Sequence, residues 1–211
     1  CLRRDDGLKP ILLRPSLRLA KLRRMGFNPS SPSLCLRMIT RHHDTLLSKS
    51  TAIYSDCEKY RYALTRIWDE GAKRVLFVML NPSTANEVQN DPTVERCERR
   101  ARALGFGAFR VTNIFAWRDT DPRKMRAASE PIGPENDATI LEGAGWADSI
   151  VAAWGTHGAY LDRGPHVAAL LSKEQHVLSH LGLSKAGHPK HPLYISYSQQ
   201  PILWPNPYGD H

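Results

Sequence analysis

The pattern of apolar positions is strongest at Val75–Leu80, a continuous apolar run with β-branched residues at Val75 and Val78. A run of this length between turn signals is typical of a strand buried on both faces of a parallel sheet. It stops at Asn81-Pro-Ser83, because proline donates no hydrogen bond to a sheet and restricts the residue before it. Ligands of open α/β sheets bind outside the carboxyl ends of the strands, so the pattern predicts a site at this loop, unless the loop is only a turn.

Further elements follow along the chain. Alternation across residues 60–68 favours a strand, although a helix also fits. Asp91 and Pro92 predict the start of a helix that ends at Gly105. We predict further strands at residues 108–115, 149–154 and 176–180, and helices near residues 122–128, 134–145 and 165–171.

This alternation of strands and helices predicts an α/β fold. We expect three αβα layers around a mainly parallel central sheet of about four strands, with a short β-rich extension at the N-terminal side. Residues 38–198 form the single predicted domain, and residues 199–211 a loose, Pro-rich tail.

Charge separates the first 37 residues from the rest. They carry nine Lys or Arg and two Asp, or +7 of the formal net charge of +8. A basic arm for nucleic acid and a transit peptide are two interpretations. We favour a third, in which residues 1–37 are a basic, disordered leader foreign to a native domain that starts at Met38.

Cysteine usage and hydropathy bear on location. No Cys-x-x-Cys motif occurs, and no apolar run reaches the roughly 18 residues that a membrane helix needs. We therefore expect a cytoplasmic protein without membrane association. The sequence leaves the oligomeric state open.

Four predicted strand ends carry polar groups or rings. Because parallel strands end at one edge of a sheet, amides, imidazoles and an aromatic wall could converge there on a planar polar ligand. The candidate residues are Asn81, Ser83, Thr84, Asn113, Phe115, Trp117, Arg118, Trp154, His157, His188, Lys190 and His191.

Residues 50–196 contain seven short motifs: Tyr60-Arg-Tyr62, Leu80-Asn-Pro-Ser-Thr-Ala85, Asp91-Pro-Thr93, Asn113-Ile-Phe-Ala116, Thr120-Asp-Pro122, Trp154-Gly155 and Gly187-His-Pro-Lys-His-Pro-Leu-Tyr194. Together these motifs resemble those of DUF1643, a family of uncharacterised bacterial proteins. This resemblance implies no activity by itself.

The order of segments in residues 74–194 also resembles the uracil-DNA glycosylase superfamily. That resemblance implies that Asn81 orients the attacking water and that Asn113 reads the base. It implies too that His188 or His191, each followed by proline, supports the departing base. The two His-Pro pairs depart from the superfamily pattern, and no four-cysteine cluster motif is present.

On this basis the sequence predicts a nucleobase-recognising protein that acts as an N-glycosylase on nucleic acid. Phe115 or Trp117 stacks on the base, and Arg118 and Lys190 contact phosphate. Asn81 is a weak base, so turnover is slow. The alternative is a nucleotide or modified-base binding protein without catalysis.

Two other chemistries have weaker motifs. His157, His188 and His191 could form a metal site, but the loop that carries the last two offers no convincing further ligand. Ser83 lacks the Gly-x-Ser-x-Gly context of a nucleophile. We therefore predict no metal and no cofactor.

Overall fold

The computed structural model describes residues 37–209. Its eight strands are β1 (Met38–Asp44), β2 (Lys49–Ser55), β3 (Arg61–Ile67), β4 (Arg74–Met79), β5 (Ala108–Asn113), β6 (Ser149–Ala152), β7 (Leu178–His180) and β8 (Ile202–Trp204). Its α-helices are α1 (Pro92–Ala103), α2 (Pro122–Ala127), α3 (Asn136–Trp146) and α4 (Arg163–Lys173). Apart from Arg37, the predicted leader lies outside the described residues.

All eight strands form one mixed sheet in the order β1-β2-β3-β5-β4-β6-β7-β8. Within the described residues, β5, β4, β6 and β7 pair in parallel. The other four of the seven pairings are antiparallel, and they join β1 to β2, β2 to β3, β3 to β5, and β7 to β8. The predicted three-layer fold with a mainly parallel sheet of about four strands, like that of uracil-DNA glycosylases, is therefore wrong.

The error comes from strands at the two sides of the sheet. Residues of β1 are nearly all exposed, so this strand shows no apolar period that a sequence could reveal. The predicted strand at residues 60–68 exists as β3, but it pairs antiparallel with β5 and extends the sheet toward β2 and β1. At the other side of the sheet, β8 pairs with β7. Strand β8 lies in residues 199–211, the segment predicted to be a loose tail.

The centre of the sheet follows the apolar pattern closely. Every residue of β4 after Arg74 is buried, which confirms a strand covered on both faces. Its side chains alternate between two apolar clusters. One cluster lies against α1 and includes Val75, Phe77, Met79, Val94, Cys97 and Ala101. The other lies against α3 and α4 and includes Leu76, Val78, Leu80, Ile140, Ala144, Val167 and Leu171.

Helix α1 begins where the sequence predicts. The Asp91 carboxylate accepts hydrogen bonds from the backbone N–H groups of Thr93 and Val94, and Pro92 occupies the first turn. The chain after β4 thus leads to one face of the sheet, whereas the chain after β6 leads to α4 on the opposite face. Among the described residues, no helix is long and apolar enough to cross a membrane.

Candidate functional site

A cleft of about 520 Å³ opens at the carboxyl ends of β4 and β6. These neighbouring strands send their following loops to opposite faces of the sheet, which is where α/β proteins leave a crevice for ligands. We call it the histidine cleft. Its lining includes Asn81, Ser83, Asp119, Trp154, His157, His188, Lys190, His191 and Tyr194.

The Asn81 side chain is held in one orientation. Its Nδ2 donates to the backbone carbonyl of Asp119 at 2.7 Å and to that of Pro82 at 3.2 Å. Both partners are acceptors, so Nδ2 is the atom on their side, and Oδ1 is the other end of the amide. None of the described residues bonds to Oδ1, so Asn81 can offer this oxygen to a ligand or a water molecule.

Two arginines of β3 hold the loop that carries Asn81. Arg61 donates from Nη1 to the carbonyl of Ala85 at 2.6 Å, and Arg66 donates from Nη2 to the carbonyl of Asn86 at 2.6 Å. Both side chains are buried, and burial lowers the pKa of Arg61 to about 10. The antiparallel strand that sequence reasoning placed outside the main sheet therefore fixes one wall of the histidine cleft.

Trp154 anchors the end of β6 and is not available for stacking on a ligand. It is fully buried, and its Nε1 donates to the Tyr208 hydroxyl at 3.0 Å. A Cβ atom added to Gly158 would lie 2.2 Å from Trp154 Cδ1, so the following turn needs glycine to pass the indole. Trp154 contributes to the cleft as part of its floor.

Tyr208 connects this indole to His188. The Trp154 N–H can only donate, so the Tyr208 oxygen accepts from it. Among the described residues, the one further partner of the Tyr208 hydroxyl is His188 Nδ1 at 3.0 Å, and we assign the Tyr208 proton to this bond. Burial raises the pKa of Tyr208 to about 12, so the hydroxyl keeps this proton at neutral pH. His188 Nδ1 is thus an acceptor, and in the neutral ring the proton is on Nε2.

His191 has the same hydrogen-bond polarity, with an acceptor at Nδ1 and a donor at Nε2, but for a different reason. It caps the short 3₁₀ turn Pro192–Tyr194, and its Nδ1 accepts from the backbone N–H of Leu193 at 3.4 Å. Burial lowers the pKa of His191 to about 4 against the opposing influence of Asp91. The ring is therefore neutral at physiological pH and carries its proton on Nε2.

His157 is the third imidazole with this polarity. A guanidinium has no acceptor, so Arg126 Nη2 donates to His157 Nδ1 across 2.7 Å. In all three rings Nδ1 is engaged, and Nε2 bonds to none of the described residues. Each of the three imidazoles that line the histidine cleft thus keeps an Nε2–H donor without a partner among the described residues, and the exposed Lys190 lines the same cleft.

The same polarity is unfavourable for a metal site. A metal-bound histidine usually donates its second ring N–H to a neighbour, whereas these three rings accept at the second nitrogen. Within residues 37–209, no group of three or more His, Cys, Asp or Glu side chains is placed to hold a metal ion.

Two arginines of α1 hold the segment that follows His191. Arg100 donates to the carbonyls of Ile195, Ser196 and Gln199, the last at 2.6 Å. Arg96 donates to the carbonyls of Pro192 and Ile195. The sequence predicted this helix but not the clamp that its arginines form. The one available signal was the spacing of Arg96 and Arg100, one helical turn apart beside the buried Cys97.

The structure brings together most, but not all, of the candidate residues. Asn81, Ser83, Trp154, His157, His188, Lys190 and His191 line the histidine cleft. Ser83 also lines an adjoining groove, together with Thr84, Trp117 and Arg118.

Asn113 and Phe115 line neither cavity. Asn113 is 2% exposed, and Phe115 is fully buried with its ring 5.7 Å from that of Tyr160. The reason is that α3 and α4 cover the end of β5. Asn136 donates to the carbonyls of Asn113 and Ile114, and Arg163 also donates to that of Ile114.

Comparison with known proteins gives a family. A family model described as "Protein of unknown function (DUF1643)" matches residues 61–193, more than half of the 211-residue chain. The chain belongs to the DUF1643 family. No curated protein and no solved structure matches it, so the resemblance to uracil-DNA glycosylases gains no support. The DUF1643 match includes Asn81 and all three histidines of the cleft, but it ends before Tyr208.

Proposed function

We propose that this DUF1643 protein binds a free nucleotide in the histidine cleft, with the phosphate against the imidazoles. The observation that carries the proposal is the shared polarity of His157, His188 and His191, each of which has its Nδ1 occupied and an Nε2–H donor left over. Phosphate oxygens are acceptors, so they complement several N–H donors beside a lysine.

The charge of residues 38–211 favours a free nucleotide over a nucleic-acid strand. Residues 38–211 contain 20 Lys or Arg and 19 Asp or Glu, which leaves a net charge of +1. Proteins that bind nucleic acid obtain much of their affinity by neutralising many phosphates. The arginines of α1 do not supply such a surface, because Arg96 and Arg100 bind main-chain carbonyls and Arg99 and Arg102 pair with glutamates.

Titration calorimetry of the full chain tests the proposal. We expect nucleoside 5′-monophosphates to bind, and inorganic phosphate to compete with them. His188→Leu removes one N–H donor and should weaken binding at least tenfold, the usual order for a hydrogen bond to a charged group. His188→Gln keeps an amide donor near the Nε2 position and should recover part of the loss. His176→Leu, a histidine outside the cleft, is the matched control. Absence of binding by every nucleotide and by phosphate contradicts the proposal.

Cleavage of the N-glycosidic bond is a second candidate, favoured by the fixed orientation of Asn81. In such a reaction water attacks C1′, the C1′–N bond breaks, and the base leaves with the bonding electron pair and takes up a proton. Asn81 Oδ1 would orient the water, and His188 or His191 would stabilise the leaving base through Nε2–H.

Base release measured by chromatography tests this second candidate. Asn81→Ala should reduce release while leaving the thermal unfolding midpoint within a few degrees of the wild type. If the wild-type chain releases no base from any uracil-containing or damaged substrate or free nucleotide, the enzymatic candidate fails and the binding proposal stands.

A further inference from the structure

A second groove adjoins the histidine cleft. It encloses about 440 Å³ and shares Ser83, Asp119 and Thr120 with the cleft. We call it the tryptophan groove. Its remaining wall is formed by Glu58, Lys59, Thr84, Trp117 and Arg118. Because the shared residues belong to both linings, they form a ridge between two contiguous spaces.

The indole of Trp117 is held firmly at the wall of this groove. The Trp117 backbone forms a β-bridge with Tyr60, and the Trp117 backbone N–H donates to the carbonyl of Pro131 at 3.1 Å. The Tyr60 ring packs edge-on against the indole with 5.6 Å between centroids. Trp117 is nevertheless only partly buried. A fixed and partly accessible indole is a suitable surface for stacking a planar group.

The rest of the wall is polar. Arg118 lies over the Tyr54 ring at 5.0 Å and donates from Nη1 to the carbonyl of Glu58 at 3.1 Å. On the ridge, the Asp119 carboxylate accepts from the backbone N–H of Asp121 through Oδ1. Its Oδ2 bonds to none of the described residues, and it is an acceptor that a sugar hydroxyl could use.

We propose that one nucleoside monophosphate spans both spaces, with its base stacked on Trp117, its sugar over the ridge and its phosphate in the histidine cleft. This inference rests on the proposed function and adds the position of the base. It also moves base recognition away from Asn113 and Phe115, which lie in the interior. The ligand class is a nucleoside with its phosphate attached, because only the joined molecule reaches both the imidazoles and the indole.

Calorimetric titration of the full chain with the four common ribonucleoside 5′-monophosphates, their nucleosides and inorganic phosphate tests this arrangement. The monophosphates should bind at least tenfold more tightly than either fragment. Trp117→Leu should weaken monophosphate binding about tenfold, the usual order for one base–aromatic stack, and leave phosphate binding unchanged. Trp146→Leu is the matched control, since Trp146 is also partly buried but lies in a different cavity.

A second pair of variants decides the matter if Trp117→Leu fails to fold. Thr84 is exposed and lines the tryptophan groove, so Thr84→Trp should fill the groove and weaken monophosphate binding without affecting phosphate. Val88→Trp, on the same loop but outside the lining, should change neither. Unchanged monophosphate binding in Thr84→Trp overturns the two-space arrangement and leaves phosphate binding in the cleft intact. A wild-type chain that binds neither ligand overturns both.

Discussion

The two walls of the histidine cleft are held by the same chemistry from different parts of the chain. The asparagine wall, residues 81–86, is bound through its carbonyls by Arg61 and Arg66 of β3. The histidine wall, residues 182–194, leads directly into the segment 195–199. The carbonyls of this segment accept hydrogen bonds from Arg96 and Arg100 of α1. Neither pair of arginines uses a carboxylate as its main partner, and all four guanidinium groups donate to main-chain carbonyls of irregular backbone.

The walls differ in whether the residues that support them fall within the region that matches the family model. The asparagine wall and its arginines all fall within the residues that match the family model. The histidine wall also depends on Tyr208 and on the carbonyls of residues 195–199, which follow the matched region. The polarity of His188 is therefore set by a residue outside the matched region, whereas the orientation of Asn81 is set by the carbonyls of Pro82 and Asp119, which lie within it.

The largest expected effect is on the histidine wall. Arg100→Met leaves several carbonyls of residues 195–199 without their donor, and we expect the free energy of unfolding to fall by about 3 kcal/mol. Arg99→Met is the control on the same helix. Its ion pair with Glu95 is exposed and screened by solvent, so the loss of unfolding free energy should be much smaller. Equal losses in urea denaturation would show that the clamp is not a main support.

On the asparagine wall the expected effect is somewhat smaller. Arg61→Met removes the donor to the Ala85 carbonyl but also removes a buried cation, so we expect a loss of about 2 kcal/mol. Arg123→Met, which breaks an exposed pair with Asp121, is the control. Nucleotide binding should weaken in Arg61→Met, since the loop with Asn81 and Ser83 loses its anchor. Unchanged stability would contradict the role given to β3.

Tyr208 supports the histidine wall through its hydrogen bond to His188, so a variant of Tyr208 distinguishes the two walls. Tyr208→Phe leaves the Trp154 N–H without an acceptor and His188 Nδ1 without a donor, so the unfolding free energy should fall by about 1–2 kcal/mol. Tyr197→Phe is the control, because the Tyr197 hydroxyl bonds to none of the described residues and Tyr197 does not line the histidine cleft. Nucleotide affinity should fall in Tyr208→Phe alone. If both variants bind alike, His188 does not depend on Tyr208 for its polarity.

The smallest expected effect is the pH dependence from His191. Its pKa in the folded protein, about 4, is below the ordinary value of 6.5, so the unfolded chain binds more protons between these values. The contribution of the neutral His191 ring to the free energy of unfolding is fully present above about pH 6.5 and is lost as the pH falls toward 4. His191→Gln does not titrate, so its loss of unfolding free energy between pH 7 and pH 5.5 should be smaller by about 1 kcal/mol. Parallel curves for the two proteins would contradict a buried neutral ring.

The sequence was sufficient for the parts of the fold that repeat a simple pattern. The apolar run at Val75–Leu80 became β4, and Asp91 with Pro92 began α1, because burial and capping are local properties. Strand β3 was predicted, but its antiparallel pairing into the main sheet was missed, because an apolar period does not encode the direction of pairing. Strand β1 was missed because it is exposed and has no apolar period.

The site was predictable only as far as strand ends determine it. Asn81 and the His188–His191 loop reach one cleft, as the rule for parallel sheets indicates. The same rule placed Asn113 there, but Asn136 and Arg163 cover that strand end, and no local pattern reveals such long-range packing. Tyr208 was missed because its segment resembles an unstructured tail until its partners are known.

The polarity of the three imidazoles is measured most directly by ¹⁵N NMR of the histidine side chains at neutral pH, with and without a nucleoside monophosphate. We predict that His157, His188 and His191 carry their protons on Nε2 and that ligand addition shifts these Nε2–H signals, while the exposed His166 is unaffected. Rings protonated on Nδ1, or Nε2–H signals that a saturating nucleotide leaves unchanged, would contradict the account.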